Sequence, residues 1–269
     1  MLSCNRSRTI IVGRRVAIVA VALGLAIGIP VTACAAEVKV LAALAVQDAL
    51  GPLAARFSSR HGHAVQVAYS TVGAIRKRLA DGERADVVVL TSEAIDEMDH
   101  AGELVAGASA PVAATRTGLA IRAGTAPPDI STLEKFRAAL LAARSIAYTD
   151  PKTGGAFGSY FAKELERLGI LDAVNARAVL RRGSHEIVKA VASGEAELGV
   201  TFISTIASTP GLQVAGALPP PLLGMERFSA GALRNSAARD AAIDLVHALS
   251  DAASADQWRA AGFEVPESR

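Results

Sequence analysis

The chain has 269 residues, of which 51% are hydrophobic, 20% charged and 4% aromatic. That composition excludes a disordered chain, and only one apolar run approaches membrane length, which excludes a multi-span membrane protein. The net charge of +2 includes four arginines before residue 16; without them, 24 basic and 26 acidic side chains remain, a net of about −2. Such a balance, without a basic stripe, argues against nucleic-acid binding.

Residues 1–35 have the pattern of a secretory signal peptide. Basic residues without acids precede an apolar stretch from Val16 to Ile29, and Pro30 ends that stretch before a group of small residues. The stretch is short for a bilayer span. We therefore predict export to the periplasm.

Two processing sites remain open. Cleavage after the small-residue motif Ala33–Ala35 would release a soluble protein that begins at Ala36. The segment Val31–Cys34 also resembles a lipobox, which would make Cys34 a lipidated N-terminus. Cys4 is removed in either case, so we expect no disulfide in the mature chain.

Short strand-forming runs alternate with segments of helical period, which predicts an α/β fold with mostly parallel strands. Before Pro111, the pattern predicts strands Val38–Leu41, Val65–Tyr69 and Asp86–Leu90 and helices Gln47–His61, Gly73–Ala80 and Glu93–His100. After it, the pattern predicts strands Thr117–Ile121, Ser145–Tyr148 and Leu198–Phe202 and helices Ser159–Leu168, Ile187–Ser193, Ala237–Ser250 and Ser254–Ala261. A capping box is expected at 131–134, with Ser254 as an N-cap and the segment Leu218–Pro221 as a hinge or edge.

Several segments, in order, resemble type II periplasmic solute-binding proteins, in the branch of the molybdate-binding component of ABC transporters. They are Leu41–Leu50, Ser70–Leu79, Ala85–Leu90, Asp150–Tyr160, Ser193–Phe202 and Ala261–Pro266. The resemblance implies two α/β lobes, 37–112 with 222–269 and 113–221, joined by crossover strands. It also implies a small anion in the cleft, an ABC permease as partner, no cofactor and a monomer.

The physics of helix ends agrees with an anion ligand. Ligands of open α/β sheets lie beyond the carboxyl ends of the strands, where helix N-termini offer unpaired amides and partial positive charge. Backbone amides near Ala45, Gly73, Phe157 and Ser184 are candidates for this role.

The resemblance also bears on which anion is bound. In molybdate binders two serines and a tyrosine help hold the oxyanion, and the matching positions here are Ala45, Val72 and Phe202. Each missing donor is worth about 1.5–3 kcal/mol toward an anion. We therefore expect an organic carboxylate rather than molybdate or tungstate.

Two segments with glycine stand where a strand precedes a helix. Thr71, Val72 and Gly73 either bind an anion through their amides and the Thr71 hydroxyl, or form an ordinary helix start, with Arg76 one turn further on. The segment Thr153–Gly158, with Gly155, Ala156 and Phe157, either lets a ligand approach the backbone or is a plain loop.

The run from Arg181 to Glu186 is the most suggestive chemically. Arg181 or Arg182 can pair with a carboxylate, Ser184 can cap the next helix, and His185 can transfer a proton near neutral pH. The alternative is that His185 and Glu186 only occupy the first turn of a helix. His61 and His63 lie in a turn with no further ligands nearby in the sequence, so we expect no metal site.

Two main functions remain open at this point. The first is a periplasmic binding protein for a small anion. The second is an isomerase, because the loop Gly154–Gly158 resembles a divergent branch that includes periplasmic isomerases acting on aconitate; His185, Lys152 and Tyr160 would then be the proton carriers. A surface lipoprotein that scavenges or senses is a third possibility.

Overall fold

A computed structural model describes residues 36–153, 156–222 and 225–266 of the chain. The predicted signal peptide, with Cys4 and Cys34, lies outside these residues. Within them, no helix is both long enough and apolar enough to cross a membrane.

Strands and helices alternate through most of the described chain. The strands are β1 (Glu37–Ala43), β2 (Ala64–Ser70), β3 (Val87–Thr91), β4 (Leu104–Arg122), β5 (Ile146–Thr149), β6 (Ala178–Arg181), β7 (Leu198–Phe202), β8 (Leu212–Ala217) and β9 (Met225–Leu233). The helices are α1 (Gln47–His61), α2 (Val72–Ala80), α3 (Ser92–His100), α4 (Leu133–Ala142), α5 (Ala156–Arg167), α6 (Leu171–Asn175), α7 (Ser184–Ala192), α8 (Ile203–Ala207), α9 (Arg239–Ser250) and α10 (Ala252–Ala260). Short 3-10 turns at Leu44–Val46 and Pro151–Thr153 precede α1 and α5.

The described strands hydrogen-bond in the order β2-β1-β3-β9-β4-β7-β5-β6, and β8 also pairs with β4. β1 is parallel to β2 and β3, and β5 is parallel to β6 and β7. β4 and β9 run antiparallel to their neighbours. The expectation of mostly parallel strands therefore holds for β1–β3 and for β5–β7, whereas β4, β8 and β9 pair antiparallel.

Two lobes share the long strand β4. Its first part pairs with β9, and its last residues, from Thr117, pair with β7 and β8. We call β1–β3 with α1–α3, α9 and α10 the first lobe, and β5–β8 with α4–α8 the second lobe. The predicted α/β class with two lobes is confirmed, whereas the predicted boundaries at 112/113 and 221/222 stay a prediction.

Each lobe has its own hydrophobic core. Phe57 and Trp258 are buried in the first lobe, together with Phe228 of β9. Phe136 and Phe161 are buried in the second lobe, where the Phe161 ring packs edge-on against Tyr148 at 5.2 Å between centroids. These cores fix the sheets beneath the strand ends that form the site.

Two helix starts differ from the sequence expectation by a few residues. Thr132, not Ser131, caps α4, because its hydroxyl accepts a hydrogen bond from the Lys135 amide at 3.3 Å. Asp251 caps α10 by accepting from the Ser254 amide at 2.7 Å. Ser254 was predicted as that cap, but it is buried inside the helix, where its hydroxyl donates to the Ala248 carbonyl.

Several elements were not predicted at all. The strands β6, β8 and β9 and the helices α6 and α8 have no clear period in the sequence. The segment Leu218–Pro221 is a loop between β8 and β9 rather than an edge strand, and its hinge role stays a prediction.

The carboxylate of Asp86 ties the first lobe together. Asp86 is 7% exposed and stands just before β3. It accepts hydrogen bonds from the Lys39 amide at 2.8 Å, the Ser236 hydroxyl at 2.6 Å and the Ala237 amide at 3.1 Å. One buried carboxylate thus joins β1, β3 and the turn that leads into α9.

We expect Asp86→Ala to lower the free energy of unfolding by about 3 kcal/mol, because several buried donors lose their acceptor together. The control Asp81→Ala removes only an exposed ion pair with Lys77 and should cost less than about 1 kcal/mol. Urea denaturation followed by circular dichroism measures both values. Equal losses in the two variants would contradict the role given to Asp86.

Candidate functional site

A cavity of about 170 Å³ lies between the lobes, at the carboxyl ends of the parallel strands. The ends of β1, β2 and β3 face it from the first lobe, and the ends of β5 and β7, with the turn after β6, face it from the second. Its lining residues are Ala43, Leu44, Ala45, Ser70, Thr71, Val72, Thr91, Thr117, Thr149, Phe157, Arg182, Gly183, Ser184, Thr201, Phe202, Glu226 and Phe228.

The start of α2 contributes amides and a hydroxyl to the first-lobe side. Thr71 is the N-cap of α2, and its hydroxyl oxygen accepts from the Ala74 amide at 3.3 Å. Its hydroxyl proton stays available to a ligand, as do the first helical amides of Val72 and Gly73. Gly73 lies inside the helix without a positive φ, so no tight turn requires a glycine there.

The start of α7 contributes from the second-lobe side. Gly183 is its N-cap, with an extended backbone and no side-chain cap. Ser184, expected to be the cap, is instead the first helical residue, and it lines the cavity. The Glu186 carboxylate accepts from the Arg182 amide at 3.1 Å, which holds the turn before the helix. Two helix starts from opposite lobes thus border one cavity, which favours a negatively charged ligand.

Buried threonines supply further hydroxyl groups that the sequence did not single out. Thr117, Thr149 and Thr201 are at most 7% exposed and line the cavity. Their side chains form no hydrogen bond with other residues in the described ranges. Their hydroxyl oxygens are not sealed from solvent as those of Ser204 and Thr205 are, so they stay open to hydrogen bonds with a ligand in the cavity.

The three positions that resemble the hydroxyl-bearing residues of molybdate binders do border the cavity. Ala45, Val72 and Phe202 all line it, as apolar groups. The Phe202 ring lies 6.2 Å from that of Phe157, centroid to centroid, which adds an aromatic surface. The cavity therefore still has hydroxyl groups, but they belong to threonines such as Thr117, Thr149 and Thr201 and not to these three positions.

Charged groups of both signs reach the cavity. Arg182 lines it, and its guanidinium makes no ion pair with a described residue. Arg181 does not share this role because it is paired with Glu195, which also raises the Arg181 pKa. Of the two arginines that the sequence left open, only Arg182 is in the described lining, and its pairing with a carboxylate stays a prediction.

Glu226 is the acidic residue in the described part of the cavity lining, and the sequence pattern did not identify it because β9 was not predicted. Burial raises the pKa of its carboxyl, and the charge of Glu93 raises it further. Glu226 stands two residues before the run Phe228–Leu233, which is buried in the structure. An acidic residue next to such a run was the signal that could have identified it.

Arg76 is not brought to the cavity. Its guanidinium donates to the Ala94 carbonyl at 3.2 Å and lies 3.6 Å from the Glu97 carboxylate, so it joins α2 to α3. Arg76 is absent from the described lining of the cavity, and its contact with a ligand stays a prediction.

His185 joins the two lobes next to the cavity instead of lining it. Its Nε2 lies 3.2 Å from the Asp48 carboxylate of α1, and the Ser208 hydroxyl donates to the same carboxylate at 2.7 Å. The charge of Asp48 also contributes, after burial, to a raised pKa of Tyr69. The described lining includes neither Lys152 nor Tyr160, the other predicted proton carriers.

The glycine-rich segment contains a helix start. Gly154 and Gly155 lie outside the described residues, whereas Ala156 begins α5 and Phe157 lines the cavity. At Gly158 an added Cβ would lie 2.6 Å from the Thr149 carbonyl oxygen. Close packing of α5 on the end of β5 therefore accounts for this glycine, and the predicted helix begins three residues earlier than expected.

The two histidines of the predicted turn have other partners. The His61 ring stacks on Phe57 at 4.4 Å, and His63 Nδ1 accepts from the Ala36 amide at 3.1 Å. In the described part of the chain, no group of three or more His, Cys, Asp or Glu side chains is placed to hold a metal ion.

Known proteins resemble this chain in sequence and in fold. Residues 38–264 match the family described as bacterial extracellular solute-binding protein. An aconitate isomerase from Pseudomonas sp is 30% identical over 187 residues, covering 69% of this chain and 70% of that protein.

Two solved structures share the fold at low sequence identity. The periplasmic molybdate-binding protein of Azotobacter vinelandii superposes with a TM-score of 0.67 and 22% identity, covering 86% of this chain and 100% of that one. The sulfate-binding protein SubI of Mycobacterium tuberculosis H37Rv gives a TM-score of 0.66 and 16% identity, covering 86% and 88%.

We expect Gly158→Ala to lower the free energy of unfolding by about 1–3 kcal/mol, because its Cβ would displace α5 from the Thr149 carbonyl. Gly73→Ala is the matched control: nothing lies within 4 Å of its added Cβ, so stability should stay the same or rise by up to about 1 kcal/mol. Thermal unfolding measures both, and a stable Gly158→Ala protein would contradict the packing explanation.

Proposed function

This chain belongs to the bacterial extracellular solute-binding proteins, and on that basis we propose that it captures a small organic carboxylate between its lobes. The observation that carries the proposal is the convergence of the α2 start, the α7 start and Arg182 on one cavity. A carboxylate there would exchange its water hydrogen bonds for backbone amides, threonine hydroxyls and a guanidinium.

The apolar part of the lining favours a ligand with a carbon skeleton. Ala45, Val72, Phe157, Phe202 and Phe228 offer no hydrogen bond through their side chains. A tetrahedral oxyanion has acceptor oxygens on every side, so some of its oxygens would face these apolar side chains without a hydrogen bond. An organic acid can place its carbon atoms against them. The volume is below the about 300–1,000 Å³ of pockets for drug-sized ligands, which favours a small acid.

The protein would capture its ligand outside the cytoplasm and deliver it to an ABC permease, as the family resemblance implies. The proposed lobes, 37–112 with 222–269 and 113–221, would close on the ligand from opposite sides. The Asp48–His185 contact supports such an arrangement, because it joins α1 of the first lobe to α7 of the second.

A second candidate function is isomerisation of aconitate, which the 30% identity to an aconitate isomerase favours. That reaction removes a proton from the methylene carbon, shifts the double bond and returns a proton to the former vinyl carbon. A base must therefore reach the ligand. His185 is held by Asp48 outside the lining, so in such an enzyme the proton transfer would fall to Glu226, which lines the cavity.

We expect isothermal titration calorimetry to show that citrate or trans-aconitate binds at least about tenfold more tightly than molybdate, tungstate or sulfate. Arg182→Gln should weaken carboxylate binding about 10- to 100-fold, since a charge-assisted hydrogen bond is lost. The control Arg84→Gln removes an exposed arginine outside the cavity lining and should bind like the original protein. Binding of none of these anions would refute the proposed function.

For the second candidate, we mix the protein with trans-aconitate and follow the vinyl proton signals by NMR. A binding protein leaves the chemical shifts of the free acid unchanged over time, which is the result we expect. Signals of cis-aconitate that grow with time, and that disappear in Glu226→Gln but persist in Glu166→Gln, would establish the isomerase instead.

A further inference from the structure

We infer that Glu226 takes up a proton when the cavity binds a ligand with two or more carboxylates, and donates that proton to one of them. The inference rests on the proposed binding function and specifies the ligands as polycarboxylates. The complex would carry one proton more than the free protein and the free ligand together. The ligand would contact both charged residues of the lining, Arg182 and Glu226.

The argument begins with the position of Glu226. It lines the cavity from β9, whereas Arg182 lines the same cavity from the turn before α7. Glu226 makes no hydrogen bond or ion pair within the described ranges. No cation of the described residues therefore pairs with its carboxylate, and a second carboxylate brought into a cavity of about 170 Å³ would meet it at short range.

When two carboxylates lie close together, keeping both of them ionised costs free energy because like charges repel. Either they separate, or one takes up a proton and the pair forms a hydrogen bond between carboxyl and carboxylate. A ligand whose first carboxylate is held by Arg182 and the helix starts cannot withdraw its second one far in a cavity of this size. The proton therefore goes to Glu226, which then becomes a donor.

The surrounding charges favour the same result. Glu93 at the start of α3 is the nearby acid, and burial together with this acid raises the pKa of Glu226 even without a ligand. Arg116 on β4 is engaged by the Glu264 carboxylate at 2.9 Å. Arg227 follows Glu226 in β9, so its side chain points to the opposite face of the strand. Arg182 is the cation of the cavity lining, and a bound carboxylate would engage it.

The test is calorimetry with citrate and trans-aconitate at about pH 7.5 to 9, where free carboxylic acids are ionised. Titrations at one pH in buffers of different ionisation enthalpy give the number of protons taken up on binding. For the original protein we expect about one proton per ligand, and an affinity that falls about tenfold per pH unit.

Two variants identify the group responsible. Glu226→Gln keeps the shape and a donor but cannot titrate, so uptake should fall to near zero and the affinity should become independent of pH. Glu166→Gln removes an exposed glutamate of α5 and should behave like the original protein. The His185–Asp48 contact is present in all three proteins, so the difference between them isolates Glu226.

Each outcome decides the inference. Carboxylate binding without proton uptake by the original protein would overturn it, whatever the variants do, and would leave the proposed function standing. Tighter binding of citrate than of trans-aconitate that is lost in Glu226→Gln and occurs without proton uptake would make Glu226 an ionised acceptor of the citrate hydroxyl and would also overturn it. Failure of every carboxylate to bind the original protein would refute the proposed function and the inference together.

Discussion

The backbone hydrogen bonds of β4 are the constraint on which the site depends. One strand of 19 residues pairs with β9 in its first part and with β7 and β8 in its last part. The two lobes therefore belong to one hydrogen-bonded system, and their parallel strands end at a common cavity. If the lobes were joined by a flexible linker alone, the starts of α2 and α7 would have no fixed relation to each other.

The cavity combines groups that are common in anion sites with aromatic rings and a carboxylate. Helix starts, hydroxyls and an arginine suit an oxyanion, and similar folds are found in a molybdate-binding and a sulfate-binding protein. The aromatic rings and Glu226 add groups that suit a carbon skeleton and a proton shared with the ligand. The ligand proposed here satisfies both sets of groups.

Local sequence patterns were sufficient for several helices and short strands, but of the 19-residue β4 only Thr117–Ile121 was predicted. The helix predicted over Gln47–His61 and the strand predicted over Leu198–Phe202 have the observed bounds, because apolar period and end residues both lie within these segments. β9 was missed because its residues do not alternate in polarity: seen from the structure, most of them are buried on both faces between β3 and β4. Glu226 was missed with it.

The sequence by itself determined the α/β class, the family resemblance and the position of the turns that carry Thr71 and Ser184, since each of these depends on neighbouring residues. Only the tertiary structure decided which residues line the cavity. Arg76 and Arg182 are equally basic in sequence, but Glu97 and the Ala94 carbonyl hold the first on α3 while the second remains without an ion pair in the described chain. Side-chain partners come from residues distant in sequence, and no local pattern records them.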